Sequence, residues 1–282
     1  MKVRKPCQAG VFYPRSREEL AAEIERCFTH RLGPGELPKT LIHGPRRIVG
    51  VLSPHAGYMY SGPVAAFSYK ALAEDGEPET AVILGPNHTG MGSGVSIMNE
   101  GEWETPMGRV EVDSETANAI VEASKIIDVD DEAHRLEHSI EVQVPFLQYL
   151  YDGRVKIVPL CMMMQDMETS VEVGSAIFEA SKDRNITVIA SSDMTHYEPQ
   201  RIAERKDKKA LDMIESMNIE GLYQAIEGEN ISMCGYGAVA ALMQYARASG
   251  VERASIEAYK TSGDITGDFG AVVGYASAVF RK

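Results

Sequence analysis

Apolar residues along this chain fall into two kinds of pattern, and the contrast between them predicts its elements. Ile48–Ser53, Thr80–Gly85 and Ile186–Ser191 are short apolar runs without period-two alternation, the pattern of strands buried on both faces. Each ends in a polar turn that carries a histidine: Pro54-His55-Ala56-Gly57, Pro86-Asn87-His88 and Ser192-Asp193-Met194-Thr195-His196. Between and around them apolar residues recur at helical spacing. Ser16-Arg17-Glu18-Glu19 has the form of a capping box and starts a helix through about His30. Pro63 opens a helix after the first strand, in a position where its missing N–H does no harm.

Further along, Val95–Met98 reads as a short strand, 102–112 as a hairpin, and Ser114 as the cap of a helix to about Lys125. Ala133, Leu136, Ile140, Val144 and Leu147 predict an amphipathic helix through most of 131–150, kinked at Pro145. A strand over 154–161, helices over 166–182, 199–217, 219–226 and from Ala238, and two closing antiparallel strands over 254–260 and 271–280 complete the reading. Strands alternating with helices predict one α/β domain, a central mixed, largely parallel sheet flanked by helices. The carboxyl ends of parallel strands lie along one edge, where ligands bind, so His55, His88 and His196 are expected around one crevice.

Composition narrows the classes. With 44% hydrophobic and 24% charged residues, the 282-residue chain can bury a sizeable core, and no linker or low-complexity stretch divides it. A formal net charge of -13 without clustered Lys and Arg argues against a nucleic-acid surface. The first ten residues lack the apolar segment of a signal peptide, and no apolar run is long enough to cross a bilayer, so a cytoplasmic protein is expected. Cys7, Cys27, Cys161 and Cys234 show no CxxC pairing and read as free thiols.

The candidate chemistry starts from the histidines. Asp193, three residues before His196, could meet the imidazole across a tight turn as an orienting carboxylate, or only cap that turn. Cys234 precedes Gly235-Tyr236-Gly237 at a helix entrance, where a thiolate gains from free N–H groups and can act as nucleophile or soft metal ligand. Two imidazoles and a thiolate suit iron, copper or zinc better than magnesium or calcium. His134-Arg135-Leu136-Glu137-His138 also fits the H-x-x-E-H pattern of an inverzincin-type zinc hydrolase, provided both histidines share a helix face. Walker, Rossmann and G-x-S-x-G signatures are missing, which argues against nucleotide binding and an α/β-hydrolase.

Taken together, Ala9–Pro14, Pro54–Tyr58 with Ser61-Gly62, Leu84–His88, Glu137–Glu141 with Pro145–Leu147, Ser191–His196 and Cys234-Gly235 resemble, in order and from residue 4 to the last strand, the motifs of the Memo family. That resemblance implies a fold like the class III extradiol dioxygenases, non-haem iron enzymes. It also implies His55, His88 and Cys234 as ligands of iron or copper, zinc less so, with Asp193 and His196 as further polar residues of the pocket. His138 and Glu141 match a helix motif of the family, and Tyr58 belongs to its histidine loop; all three are expected at the pocket. A cysteine stands where the dioxygenases use a carboxylate, which alters the charge and redox behaviour of the metal. The implied activity is redox chemistry on a small molecule, in a pathway shared with a radical-SAM protein and an AMMECR-domain protein. A second reading from the residues alone is a non-catalytic module that recognises an anionic or peptide ligand in the same crevice.

Overall fold

A computed structural model describes residues 2–282. The strands are β1 (Val3–Arg4), β2 (Ile48–Ser53), β3 (Thr80–Pro86), β4 (Val95–Ile97), β5 (Glu102–Thr105), β6 (Gly108–Glu111), β7 (Asp128–Val129), β8 (Lys156–Met162), β9 (Ile186–Ser191), β10 (His196–Glu198), β11 (Ala254–Thr261) and β12 (Val272–Arg281). The helices are α1 (Arg17–Thr29), α2 (Tyr58–Asp75), α3 (Ser114–Ala123), α4 (Val144–Tyr151), α5 (Met167–Ala180), α6 (Gln200–Glu215), α7 (Ile219–Glu229), α8 (Tyr236–Ala248) and α9 (Ser262–Thr266). The main sheet runs β10-β12-β2-β9-β3-β8-β4-β7, with β11 paired to β12. Its centre, β2-β9-β3-β8, is parallel, and antiparallel neighbours close it on both sides. This is the mixed α/β domain expected, and β9 lies between β2 and β3, so the turns after three adjacent strands open onto one edge.

The sheet is buried on both faces because helices cover both. One core packs α1, α2, α4 and the small β1-β5-β6 sheet against it through Tyr69, Phe146, Trp103 and Ile83. The other packs α3 and α5 to α8 through Ile120, Ile177, Leu222 and Leu242. β2, β3 and β9 are buried at every position, which is why their sequences read as continuous apolar runs. Among the described residues no helix is long and apolar enough to cross a membrane, and the four cysteines are free.

Two helix boundaries depart from expectation. α2 begins at Tyr58, five residues before Pro63, because the Tyr60 and Ser61 N–H groups both donate to Gly57 O and close a turn ahead of the proline. The predicted helix over 131–150 is the larger correction. Only short 3-10 turns at Glu132–His134 and Glu141–Gln143 form before α4. The backbone groups such a helix needs are taken by side chains. Arg4 donates to the His134 and Glu137 carbonyls at 3.0 and 2.7 Å, while the His138 N–H donates to the Glu137 carboxylate at 2.9 Å. Leu136, expected on the apolar face, is 50% exposed. Pro145 kinks nothing; it sits in the first turn of α4, where no N–H is required.

Candidate metal centre

His55 follows β2, His88 follows β3, and His138 lies in the irregular stretch before α4. Each of these imidazoles offers a ring nitrogen, and the three nitrogens lie within 4.8 Å of one another. The His88 and His138 rings stack at 4.4 Å between centroids, and His55 meets both edge-on at 5.3 and 5.4 Å. The 137–139 segment can come this close because the next-to-last residue of β3 is Gly85. A Cβ there would fall 2.4 Å from Ser139 Oγ, which instead donates to Pro86 O at 3.0 Å.

Donor counting fixes which nitrogen is free in the His55 and His88 rings. Tyr69 donates its hydroxyl to Gln143 Oε1 at 2.7 Å, which points the Gln143 amide nitrogen at Ser191 Oγ and Pro54 O, 2.8 and 2.9 Å away. Ser191 spends its one hydroxyl proton on Ser139 O at 2.7 Å. The 2.9 Å contact from His55 Nδ1 to Ser191 Oγ is therefore donated by the imidazole, leaving the Nε2 lone pair free. Burial, then the neighbouring His138 and His88, push His55 well below its ordinary pKa, so it is neutral at pH 7. A neutral imidazole with an oriented lone pair is the form that binds a metal.

Glu137 does the same for His88. Its carboxylate accepts from His88 Nδ1 at 2.8 Å and from the backbone N–H groups of His88, His138 and Ser139 at 2.5, 2.9 and 2.8 Å. Burial opposes its ionisation, but the His88 hydrogen bond, the two imidazoles and the amides outweigh it and hold Glu137 at about 2. A folded pKa below the unfolded one stabilises the protein at pH values above the unfolded pKa and ceases to do so as pH falls through the folded one. Unfolding free energy is therefore expected to decline between about pH 5 and pH 2, with a shallower decline in Glu137→Gln, measured by urea unfolding across that range. In the sequence Glu137 stands out only within the H-x-x-E-H pattern and the Glu137–Glu141 motif. Its spacing carried no sign that it would hold two histidines in place, nor did anything mark Gln143.

Cys234 stands just before α8, with Gly235 as its N-cap; a Cβ on Gly235 would fall 2.4 Å from Ser191 O. Its Sγ lies 3.2 Å from His55 Nε2 and accepts from the Asp193 N–H at 3.3 Å. Burial and then the Asp193 carboxylate raise its pKa, so these outweigh the stabilisation expected from the helix entrance and the metal-free thiol stays protonated. Asp193 does not reach His196. Its Oδ1 accepts from the His55 N–H at 2.8 Å, fixing the histidine loop, and burial pushes its pKa up to about 6. The His196 ring is held instead by Ser232, whose carbonyl accepts from Nδ1 at 2.8 Å, so Nε2 is the nitrogen left free. His55, His88, His138, Asp193 and His196 all line one cavity of about 860 Å³.

Two expected pocket residues lie elsewhere. The Tyr58 hydroxyl donates to Val142 O at 2.6 Å, and its ring packs on Phe146 in the core. Glu141 is buried against the N-terminal arm: it pairs with Arg4 and accepts from the Cys7 and Gln8 N–H groups at 2.9 Å and from the Tyr13 hydroxyl at 2.5 Å. His134 is buried beside Trp103, with both ring nitrogens lacking a hydrogen-bond partner among the described residues. Lacking a shared helix face with His138, it takes no part in the imidazole group, and the inverzincin arrangement is not formed.

A sequence model of the Memo-like protein family matches residues 4–279. The chain is 52% identical over 281 residues to a MEMO1 family protein of Methanopyrus kandleri, covering 99% of each chain. It is 53% identical over 276 residues to a MEMO1 family protein of Methanothermobacter thermautotrophicus, covering 97% of this chain and 99% of the relative. Among solved structures, an uncharacterized protein from Escherichia coli K12 superposes with a TM-score of 0.57 at 15% identity, over 83% of this chain and all of the other, a likeness of fold alone. With its six motifs in place and relatives matching from end to end, this chain belongs to the Memo family.

Proposed function

We propose that this protein binds a transition metal ion through His55, His88 and His138 and uses it for redox chemistry on a small molecule held in the adjoining cavity. The observation that carries the proposal is the convergence of three imidazole nitrogens within 4.8 Å, with His55 and His88 each held in the tautomer that leaves Nε2 free. Imidazole donors suit iron, copper and zinc. Bound iron or copper would supply Lewis acidity and one-electron chemistry, and zinc the first alone. The protein's own contribution is positioning: Ser191 and Glu137 fix two rings, and the Asp193 carboxylate pins the His55 backbone. His196, with Nδ1 bonded to Ser232, is suited to hold or take a proton at Nε2 beside a bound molecule. The family resemblance extends the proposal to cytoplasmic work alongside a radical-SAM protein and an AMMECR-domain protein.

Cys234 supports a second ligand set. Its Sγ is 3.2 Å from His55 Nε2, close enough for the two atoms to share one ion, with the thiol losing its proton on binding. Loading the chelated protein with cobalt(II) decides between the sets. A sulfur-to-metal band in the near ultraviolet that disappears in Cys234→Ser assigns the thiolate as a ligand; a spectrum unchanged in Cys234→Ser assigns His138. Oxygen uptake by iron- or copper-loaded protein with candidate substrates then tests turnover. Failure of the wild type to hold any of these metals would overturn the proposal.

A further inference from the structure

The cavity above the imidazoles has a charge and shape that restrict what can enter it. Among the described residues no lysine or arginine lines it, whereas two carboxylates do, Asp193 near the floor and Asp268 in the exposed loop after α9. A phosphate or carboxylate group would find positive charge there only at the imidazole and metal end, and none on the rest of the wall among the described residues. Its walls are aromatic instead: Phe12, Tyr60, Tyr197 and Tyr275 all face it.

Two of these rings differ sharply in exposure. Tyr197 follows His196 directly and is 78% exposed, on a backbone with φ of 58°. A bulky side chain in the left-handed region costs about 1–3 kcal/mol, and here that conformation presents a tyrosine to the cavity beside His196. Tyr275 is the opposite case, only 2% exposed, with its side chain in the cavity wall.

We infer that the cavity takes a ring-bearing amine, with the ammonium group recognised by Asp268, the aromatic face of Tyr197 and the Tyr275 hydroxyl, and the opposite end of the molecule directed to the imidazoles. Aromatic faces attract cations, and a carboxylate at the mouth adds to that attraction while repelling acids. The inference rests on the reading that this cavity is the substrate site of the metal centre.

Isothermal titration with phenethylamine, phenethyl alcohol and phenylacetate, which share a ring and differ in charge, tests it in metal-loaded and in chelated protein. Phenethylamine is expected to bind about tenfold more tightly than phenylacetate in both forms. Asp268→Asn, a change of charge at an exposed position that keeps the Oδ1 acceptor for the Gly270 N–H, is expected to remove most of that preference. Tyr197→Ala is expected to weaken the amine more than the alcohol. Tighter binding of phenylacetate, an unchanged ranking in Asp268→Asn, or no amine binding at millimolar concentration would each overturn it. Metal content measured on the same samples separates the two proposals: a ranking that persists in protein unable to hold metal sinks only the metal centre, and a failed ranking with metal bound sinks only the amine.

Discussion

The Glu141→Ala variant is expected to lose about 3–5 kcal/mol of folding free energy, the largest stability effect of any single side chain near the site. Arg4 and Glu141 are both buried, with side chains only 5% and 0% exposed, so solvent cannot replace the missing partner. Alanine would leave the Arg4 guanidinium charged without its carboxylate, held by the His134 and Glu137 carbonyls, the Cys7 sulfur and the face of Trp103. It would also strand the Cys7 and Gln8 N–H groups and the Tyr13 hydroxyl. Glu141→Gln, which keeps an acceptor but loses the charge, should fall between. The consequence reaches the cavity, because the arm these bonds hold carries Val11 and Phe12 into its wall and sets the Phe12 ring 5.0 Å from His138. Urea unfolding measures the loss; a change under about 1 kcal/mol would show that the arm is held by its other contacts.

His55→Ala and His88→Ala are each expected to lower metal affinity by more than about a hundredfold, since a lost ligand costs more than the 10–100-fold typical of a lost orienting partner. Glu137→Gln should fall within that smaller range, because it leaves the His88 ring in place while weakening the bond that sets its tautomer and position. Chelator competition reads all three. Stability should separate the variants as well: the His88 side chain is one-third exposed and tolerates truncation, whereas fully buried His55 leaves Ser191 and Gln143 to rearrange. Wild-type affinity in His88→Ala would place the metal elsewhere.

Much of this was legible in the sequence because it rests on local patterns. The three apolar runs that became β2, β3 and β9 are strands, and their terminal turns meet at one edge because β9 lies between the other two. What stayed hidden depends on contacts between distant segments. The stretch before α4 has the periodicity of a helix, and nothing within it reveals that Arg4, more than 120 residues away, takes the carbonyls a helix would use. The same tertiary event moves His138 into the imidazole group, turns Glu137 toward His88 and commits Glu141 to the arm. Asp193 was read as a partner for His196 from sequence proximity, but the turn after β9 directs its carboxylate across to the loop after β2. Short spacing along the chain identified polar residues of the site more reliably than it identified their partners.

Elemental analysis of protein purified without oxygen, comparing the wild type with His55→Ala, His88→Ala, His138→Ala and Cys234→Ala, tests the central claim most directly. Close to one iron or copper per chain is expected in the wild type, with loss in His55→Ala and His88→Ala and a reduction in whichever of His138→Ala and Cys234→Ala removes the third ligand. Wild-type protein that carries no metal and cannot be loaded, or variants that all retain it, would contradict a metal centre at these imidazoles.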